Sequence, residues 1–254
     1  MRIAITGGTG TLGGSVAHEL RARGHDVRVL SRHAPEYRID LTTGEGLAEA
    51  LEGCDAVVDA TNSTSAKGAP ATLVEGTRRL LAAETAAGVR HHVCVSIVGC
   101  SDVPIGYYRA KTRQERLVEQ GPVPWTILRA TQFHELLALM FGTAAKWRIL
   151  PVPPMPMQPV AVAEVARTVA DEVERGPRAG QLAMAGPEVA TVRELSRLWK
   201  QTTGRRPLSL PVPLPGKIGR ALRAGGLTAP DPDIRGELTF AAWLAAGQLA
   251  HLDS

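Results

Sequence analysis

Short apolar runs alternate along this chain with longer segments whose apolar residues recur at three- and four-residue spacing, so strand and helix signals take turns. Residues 2–6 read as a first strand, and 27–30, a short run at 37–39, 55–60, 92–96 and 125–129 supply five more. Between them, helices are predicted over 15–23, 44–51, 73–87 with Gly88 as its stop, and 107–119. Strands that are apolar throughout, each followed by a helix, argue for a parallel sheet covered on both faces. The expected architecture is α/β, a doubly wound parallel sheet of six strands.

The pattern changes near residue 150. Residues 151–159 hold five prolines in nine positions, which forces an extended connection because proline fixes φ and lacks an N–H. Beyond it, 160–175 and 191–203 carry helical apolar stripes, and 208–215 reads as extended before a last helical region. The expected organisation is a core over 1–150 and a small substrate-binding region over 151–254 packed on it, the two forming one integrated domain. Met140, Phe141, Met155 and Met157 serve equally as walls of an apolar pocket or as core. Trp125, Trp147, Trp199 and Trp243 are expected to be packing anchors.

Charge narrows the partners. Lys and Arg total 29 against 25 acids, a net charge of +4, and no basic run with interleaved aromatics occurs, so nucleic acid is not expected. No apolar run reaches the roughly 18 residues of a membrane span, and a first strand at the very start of the chain leaves no room for a signal peptide, so neither membrane nor export is expected. Cys54, Cys94 and Cys100 lack metal-ligand spacing, read as buried free thiols and suit a reducing cytoplasm; no metal is expected. A monomer or a homodimer is anticipated.

The chemistry begins where the first strand ends. Thr6-Gly-Gly-Thr-Gly-Thr-Leu-Gly13 places three glycines at spacing three between a strand and a helix. Gly7 can take a turn conformation closed to other residues, Gly10 lets backbone N–H groups approach a pyrophosphate, and Gly13 lets the helix pack against the strand. The second strand delivers Ser31, Arg32 and His33 about 20 residues further on, where an NAD-binding site carries an acid on the ribose 2′-hydroxyl. Arginine there suits a 2′-phosphate, so NADP(H) is favoured over NAD(H).

Tyr107 and Lys111 stand four apart on a predicted helix, so both project from one face and the ammonium can favour phenolate. Ser96 ends the fifth strand, at the sheet edge where ligands of such folds bind, and its hydroxyl could hold a substrate oxygen. His134 enters the region expected for substrate; a cleft-lining group and a helix-terminal histidine bonded to backbone are both open readings. Glu135 beside it suits the positive end of a helix dipole.

With these residues in view, the chain resembles the atypical short-chain dehydrogenase/reductases of the NmrA-like, NAD(P)-binding type, which have a Rossmann-type fold. The resemblance rests on the glycine segment, Ser31-Arg32, Ser96-Ile-Val-Gly99, Tyr107-Tyr-Arg-Ala-Lys111 and Trp125-Thr-Ile-Leu-Arg-Ala-Thr-Gln-Phe-His134. It continues through Gln158 to Ala166 and Met184-Ala-Gly-Pro187, nearly the whole chain. It implies that Gly7, Thr9, Gly10, Thr11 and Leu12 line the pyrophosphate, Ser31 and Arg32 the 2′-phosphate end, and Asp40 and Leu41 the adenine. It further implies that Ala60 and Thr61 flank a ribose, that Thr131, Gln132 and Phe133 border the nicotinamide, and that Ser96, Tyr107 and Lys111 form a reductase triad. Relatives that bind dinucleotide without turnover lack the tyrosine, which is present here. The expected activity is hydride transfer between NADP(H) and a small hydrophobic carbonyl, quinone, enone or imine; a non-catalytic redox sensor acting through a protein partner is the alternative.

Overall fold

The computed structural model describes residues 1–63 and 68–247. Its strands are β1 (Arg2–Thr6), β2 (Asp26–Ser31), β3 (Tyr37–Arg38), β4 (Ala56–Asp59), β5 (His91–Ile97), β6 (Trp125–Ala130), β7 (Ile149–Pro151), β8 (Pro156–Met157), β9 (Gly180–Ala185), β10 (Ala190–Thr191), β11 (Leu208–Leu210) and β12 (Ile234–Arg235). The helices are α1 (Thr11–Ala22), α2 (Leu47–Leu51), α3 (Gly76–Ala87), α4 (Gly106–Glu119), α5 (His134–Lys146), α6 (Val162–Arg175), α7 (Val192–Thr203), α8 (Gly216–Arg223) and α9 (Phe240–Ala245), with a π-helical turn over Pro70–Glu75. The main sheet runs β12-β9-β6-β5-β4-β1-β2-β3. Six of these strands were expected; β9 and β12 raise the sheet to eight. β12 is two residues long and carries no period a sequence could display.

The chain divides into two compact units: Met1–Ser96, Ile105–Arg129 and Ala163–Leu182 form the first, and Ile97–Pro104, Ala130–Val162 and Ala183–Ser254 the second. In the first, β3, β2, β1, β4 and β5 pair in parallel, with Ile3 beside Val27 on one side and Ala56 on the other. β4 is buried along its whole length, as a strand covered on both faces must be. Its core gathers Ala4, Leu30, Val57, Leu80, Cys94, Val118 and Ile127. Arg23, just past α1, bonds to Asp171 and Glu174 of α6.

A charged pair lies inside this unit. His92 on β5 and Glu84 on α3 are fully buried, with Nδ1 2.8 Å from Oε1. Burial pushes the Glu84 carboxyl up. It works against the His92 imidazolium too, yet the facing Glu84 carboxylate holds that group well above its usual range. Cys54, Cys94 and Cys100 are buried and form no disulfide among the described residues.

In the second unit β7 pairs in parallel with β11 and β8 antiparallel with β10. α7 starts on a capping box, Thr191 accepting from the Glu194 N–H while the Glu194 carboxylate accepts from the Thr191 N–H. Trp199 and Trp243 are core, as expected, but Trp147 is 80% exposed and anchors nothing. Its position after the last turn of α5 continues the outward face of that helix. Among the described residues no helix is long and apolar enough to cross a membrane.

Two adjacent glycines of α1 make the packing testable. A Cβ on Gly13 would stand 2.3 Å from the Gly7 carbonyl oxygen, whereas one on Gly14 would meet nothing closer than 3.8 Å. Gly13→Ala is therefore expected to cost about 2 kcal/mol or more through overpacking, and Gly14→Ala to gain about 0.5–1 kcal/mol as a helix-interior glycine replaced. Chemical denaturation of the two variants reads both signs; equal stability of the two would contradict the close approach.

Candidate dinucleotide site and proton-donor cluster

β1 ends at Thr6 and the chain turns through Gly7, whose φ of 68° is closed to ordinary side chains. A Cβ there would also lie 2.7 Å from the Ala60 carbonyl oxygen, so glycine is required both by the turn and by the neighbouring strand end. Gly10 closes the turn by donating its N–H to the Gly7 carbonyl and then caps α1 without any side-chain partner. Thr9 and Thr11 are exposed and Leu12 is buried beneath them. The first turn of α1 contains no acid, so its N–H groups and dipole face outward uncompensated, as an anionic pyrophosphate requires. The glycine cradle and the uncapped helix end thus fit a dinucleotide.

At the next strand end, the Ser31 hydroxyl accepts the His33 N–H and Arg32 is exposed. Asp40 folds onto Thr42, accepting from its N–H and its hydroxyl at 2.8 and 2.7 Å. Those bonds, with the charges of Arg32 and Arg79 beyond them, hold the Asp40 carboxyl below its usual range. Leu41 is buried and its carbonyl accepts from Arg79.

The residues after β4 and those on α4 meet in one cluster. The Lys111 ammonium is buried and donates to the carbonyls of Thr61 at 3.2 Å and Val95 at 3.0 Å, bracing the ends of β4 and β5. The Tyr107 hydroxyl donates to Asn62 Oδ1 at 2.6 Å. Its ring packs on the small cluster of Ala69, Leu73 and Ala110, which fixes the direction of the phenol. Ser96 is buried at the end of β5. Ala60 donates its N–H to Thr6, and Thr61 donates its own to Asp59 Oδ1.

Asp59 is the buried counterpart of this cluster. Oδ1 accepts from Thr6 and Thr61, and Oδ2 from Gln114 at 2.8 Å and Thr77 at 3.4 Å. Burial alone would raise its pKa; the His92 and Lys111 charges, with the hydrogen bonds of Thr61 and Thr6, bring it below the usual value instead. Ligand-type atoms of Asp59, His92 and Cys94 also fall within 4.8 Å of one another. Both Asp59 oxygens already accept donors from protein, which makes this a charge-balanced core.

Asn62, Asp59, Thr77 and Gln114 were not singled out from the sequence. Asn62 could have been: it stands directly after the fourth strand, at the same edge as the glycines. The acceptor and donors around Asp59 come from four separate elements, and no spacing connects them.

The remaining predicted residues belong to the second unit. Thr131 is buried, with its hydroxyl on the Gln158 carbonyl, and Gln132 donates to the Leu227 carbonyl at 2.7 Å. Phe133 is half-buried and precedes the first turn of α5. His134 is fully buried, with Nε2 2.9 Å from the Leu238 carbonyl oxygen and its ring packed on Phe240 and Trp243. Of its two readings, this placement is that of the backbone-bonded histidine. Glu135 accepts from the Val162 N–H, and burial raises its carboxyl. Met155, Met157 and Phe141 are buried, and Met140 is exposed.

The chain matches the NAD(P)H-binding family over residues 7–175. A photosystem II assembly factor, Ycf39, from Synechocystis is 30% identical over 149 residues, 53% of this chain and 46% of that protein, and the Trieres chinensis protein of the same name is 30% identical over 151 residues. The chain spans about half the length of these curated relatives. Among solved structures, UDP-glucose 4-epimerase of Thermotoga maritima aligns with a TM-score of 0.79 at 18% identity, covering 99% of this chain and 100% of that one. An NADPH-dependent quinone oxidoreductase of Escherichia coli, complexed with NADPH, aligns at 0.77 and 17% identity over 97% and 99%. At these identities the structures establish the fold. The chain belongs to the NAD(P)H-binding family and has a Rossmann-type fold.

Proposed function

We propose that this protein is an NADPH-dependent reductase of a small hydrophobic carbonyl, quinone, enone or imine. The observation that carries the reading is the cluster on α4, a tyrosine hydroxyl directed by Asn62 beside a lysine braced on the ends of two parallel strands. NADPH, when bound, supplies the hydride. Tyr107 gives its proton to the substrate oxygen or nitrogen, its O–H turning there from Asn62 Oδ1, which holds the hydroxyl before substrate arrives. Lys111 uses two of its three N–H bonds on carbonyls and directs the remaining one to a ribose hydroxyl. Ser96 steadies the reacting oxygen, Arg32 pairs with the 2′-phosphate, and the residues from Gly7 to Leu12 hold the pyrophosphate. His134, enclosed by two aromatic rings, is assigned to packing.

The likeness to photosystem II assembly factors supports a second reading, a dinucleotide-binding protein that acts through a protein partner without turnover. The two readings part at Tyr107. A panel of quinones, enones, aldehydes and imines, followed by loss of nicotinamide absorbance, is expected to find a substrate. Tyr107→Phe should then leave NADPH affinity intact and lower kcat by roughly two to four orders of magnitude, the usual worth of a placed proton donor. Asn62→Ala should lower kcat less and leave binding alone. Absence of turnover on every class, with NADPH bound, favours the partner-dependent reading.

Cofactor choice is tested separately. Arg32→Asp should weaken NADPH about tenfold to a hundredfold, as loss of a charge-assisted phosphate contact does, and hardly alter NADH. Calorimetry showing equal losses for both nucleotides would remove Arg32 from the 2′-phosphate.

A further inference from the structure

The second unit leaves a broad apolar face exposed. α5 buries His134, Leu137, Ala138 and Phe141, and on its other side Leu136, Leu139 and Met140 stand at helical spacing in solvent, Met140 at 56% exposure. The stripe runs on to Trp147, 80% exposed. Directly after it, Ile149 of β7 pairs in parallel register with Leu208 of β11, itself 69% exposed, and Leu210 follows on the same face. Seven large apolar side chains on one helix and its adjoining ribbon exceed the scattered exposure normal for a surface.

The surroundings of this face are basic. Lys146 and Arg148 flank Trp147 and are exposed. The Lys200 ammonium reaches Ser209 Oγ, between Leu208 and Leu210, at 2.6 Å. An Arg205 guanidinium nitrogen lies 4.0 Å from where Gly142 of α5 would carry a Cβ. Lys200, Arg205 and Arg206, with Gln201, Gly204 and Pro207, line a hollow of about 420 Å³ beside it. From Leu195 to Arg223 the chain has seven Lys and Arg and no acid.

Charge selects what covers such a face. A second copy of the chain would set one basic rim against another, with like charges in contact. An anionic bilayer matches both components: the tryptophan and aliphatic side chains enter the boundary between headgroups and acyl chains, while lysine and arginine stay on the phosphates. We propose that this face of the second unit docks on an anionic phospholipid bilayer. The proposal does not depend on the reductase reading.

The test is co-sedimentation of the full chain with vesicles of phosphatidylcholine and phosphatidylglycerol, against vesicles of phosphatidylcholine alone. Binding is expected to the first, to be much weaker on the second, and to fall as salt is raised. The pairs Trp147→Ala with Leu208→Ser, and Lys146→Glu with Arg206→Glu, should each lower partitioning about tenfold or more. All four positions are exposed, so Tm and NADPH affinity serve as checks of folding and should not move. No sedimentation with either vesicle, or equal partitioning of both variants and the parent, overturns the proposal. So does a dimer in sedimentation velocity that the first variant dissolves while neither protein binds vesicles, because the face then belongs to a second copy.

Discussion

The carboxylate of Asp59 is the point on which the first unit's candidate dinucleotide site depends. A charge removed from water costs several kcal/mol unless its lone pairs are filled and opposite charge is near. Here four donors from β1, the turn after β4, α3 and α4 fill both oxygens. The charges of His92 and Lys111 offset the rest. Because each donor sits on a different element, satisfying one carboxylate sets where all of them end.

α4 carries that constraint outward. Tyr107, Lys111 and Gln114 lie at spacing four and three, hence on one face of the helix. Gln114 is locked to Asp59 in the core, Lys111 braces two strand ends one turn further out, and Tyr107 meets Asn62 at the surface. Tyrosine direction is thus fixed from the buried end of the helix. The Glu84–His92 pair beneath works in the same sense, tying α3 to β5.

Much of the fold, though not the Asp59 network, was legible in the sequence, and for physical reasons. Glycines at 7 and 13 mark places where a side chain would collide with backbone, and continuous apolar strands mark burial on two faces, so the glycine turn and six strands of the parallel sheet could be read. Local patterning failed where tertiary partners decide. The two-residue β12 gains its conformation from Met184 and Ala185. The segment before α3 widens into a π-helical turn, and α2 starts at Leu47, three residues later than expected, because Gly44 and Gly46 take positive φ. Chain interleaving between the two units leaves no compositional trace, and the exposure of Trp147 could not be told from the burial of Trp199 by residue type.

The claim that one buried carboxylate organises the candidate dinucleotide edge is tested most directly by Asp59→Asn. The amide has nearly the same shape but turns one acceptor into a donor, facing either the Thr6 and Thr61 donors or those of Gln114 and Thr77. Denaturation is expected to show a loss of about 2–3 kcal/mol, the cost of buried donors left unpaired. Calorimetry on the folded variant is expected to show NADPH affinity at least about tenfold weaker, as a loosened strand edge no longer presents its groups in register. Unchanged stability together with unchanged NADPH affinity would contradict the account.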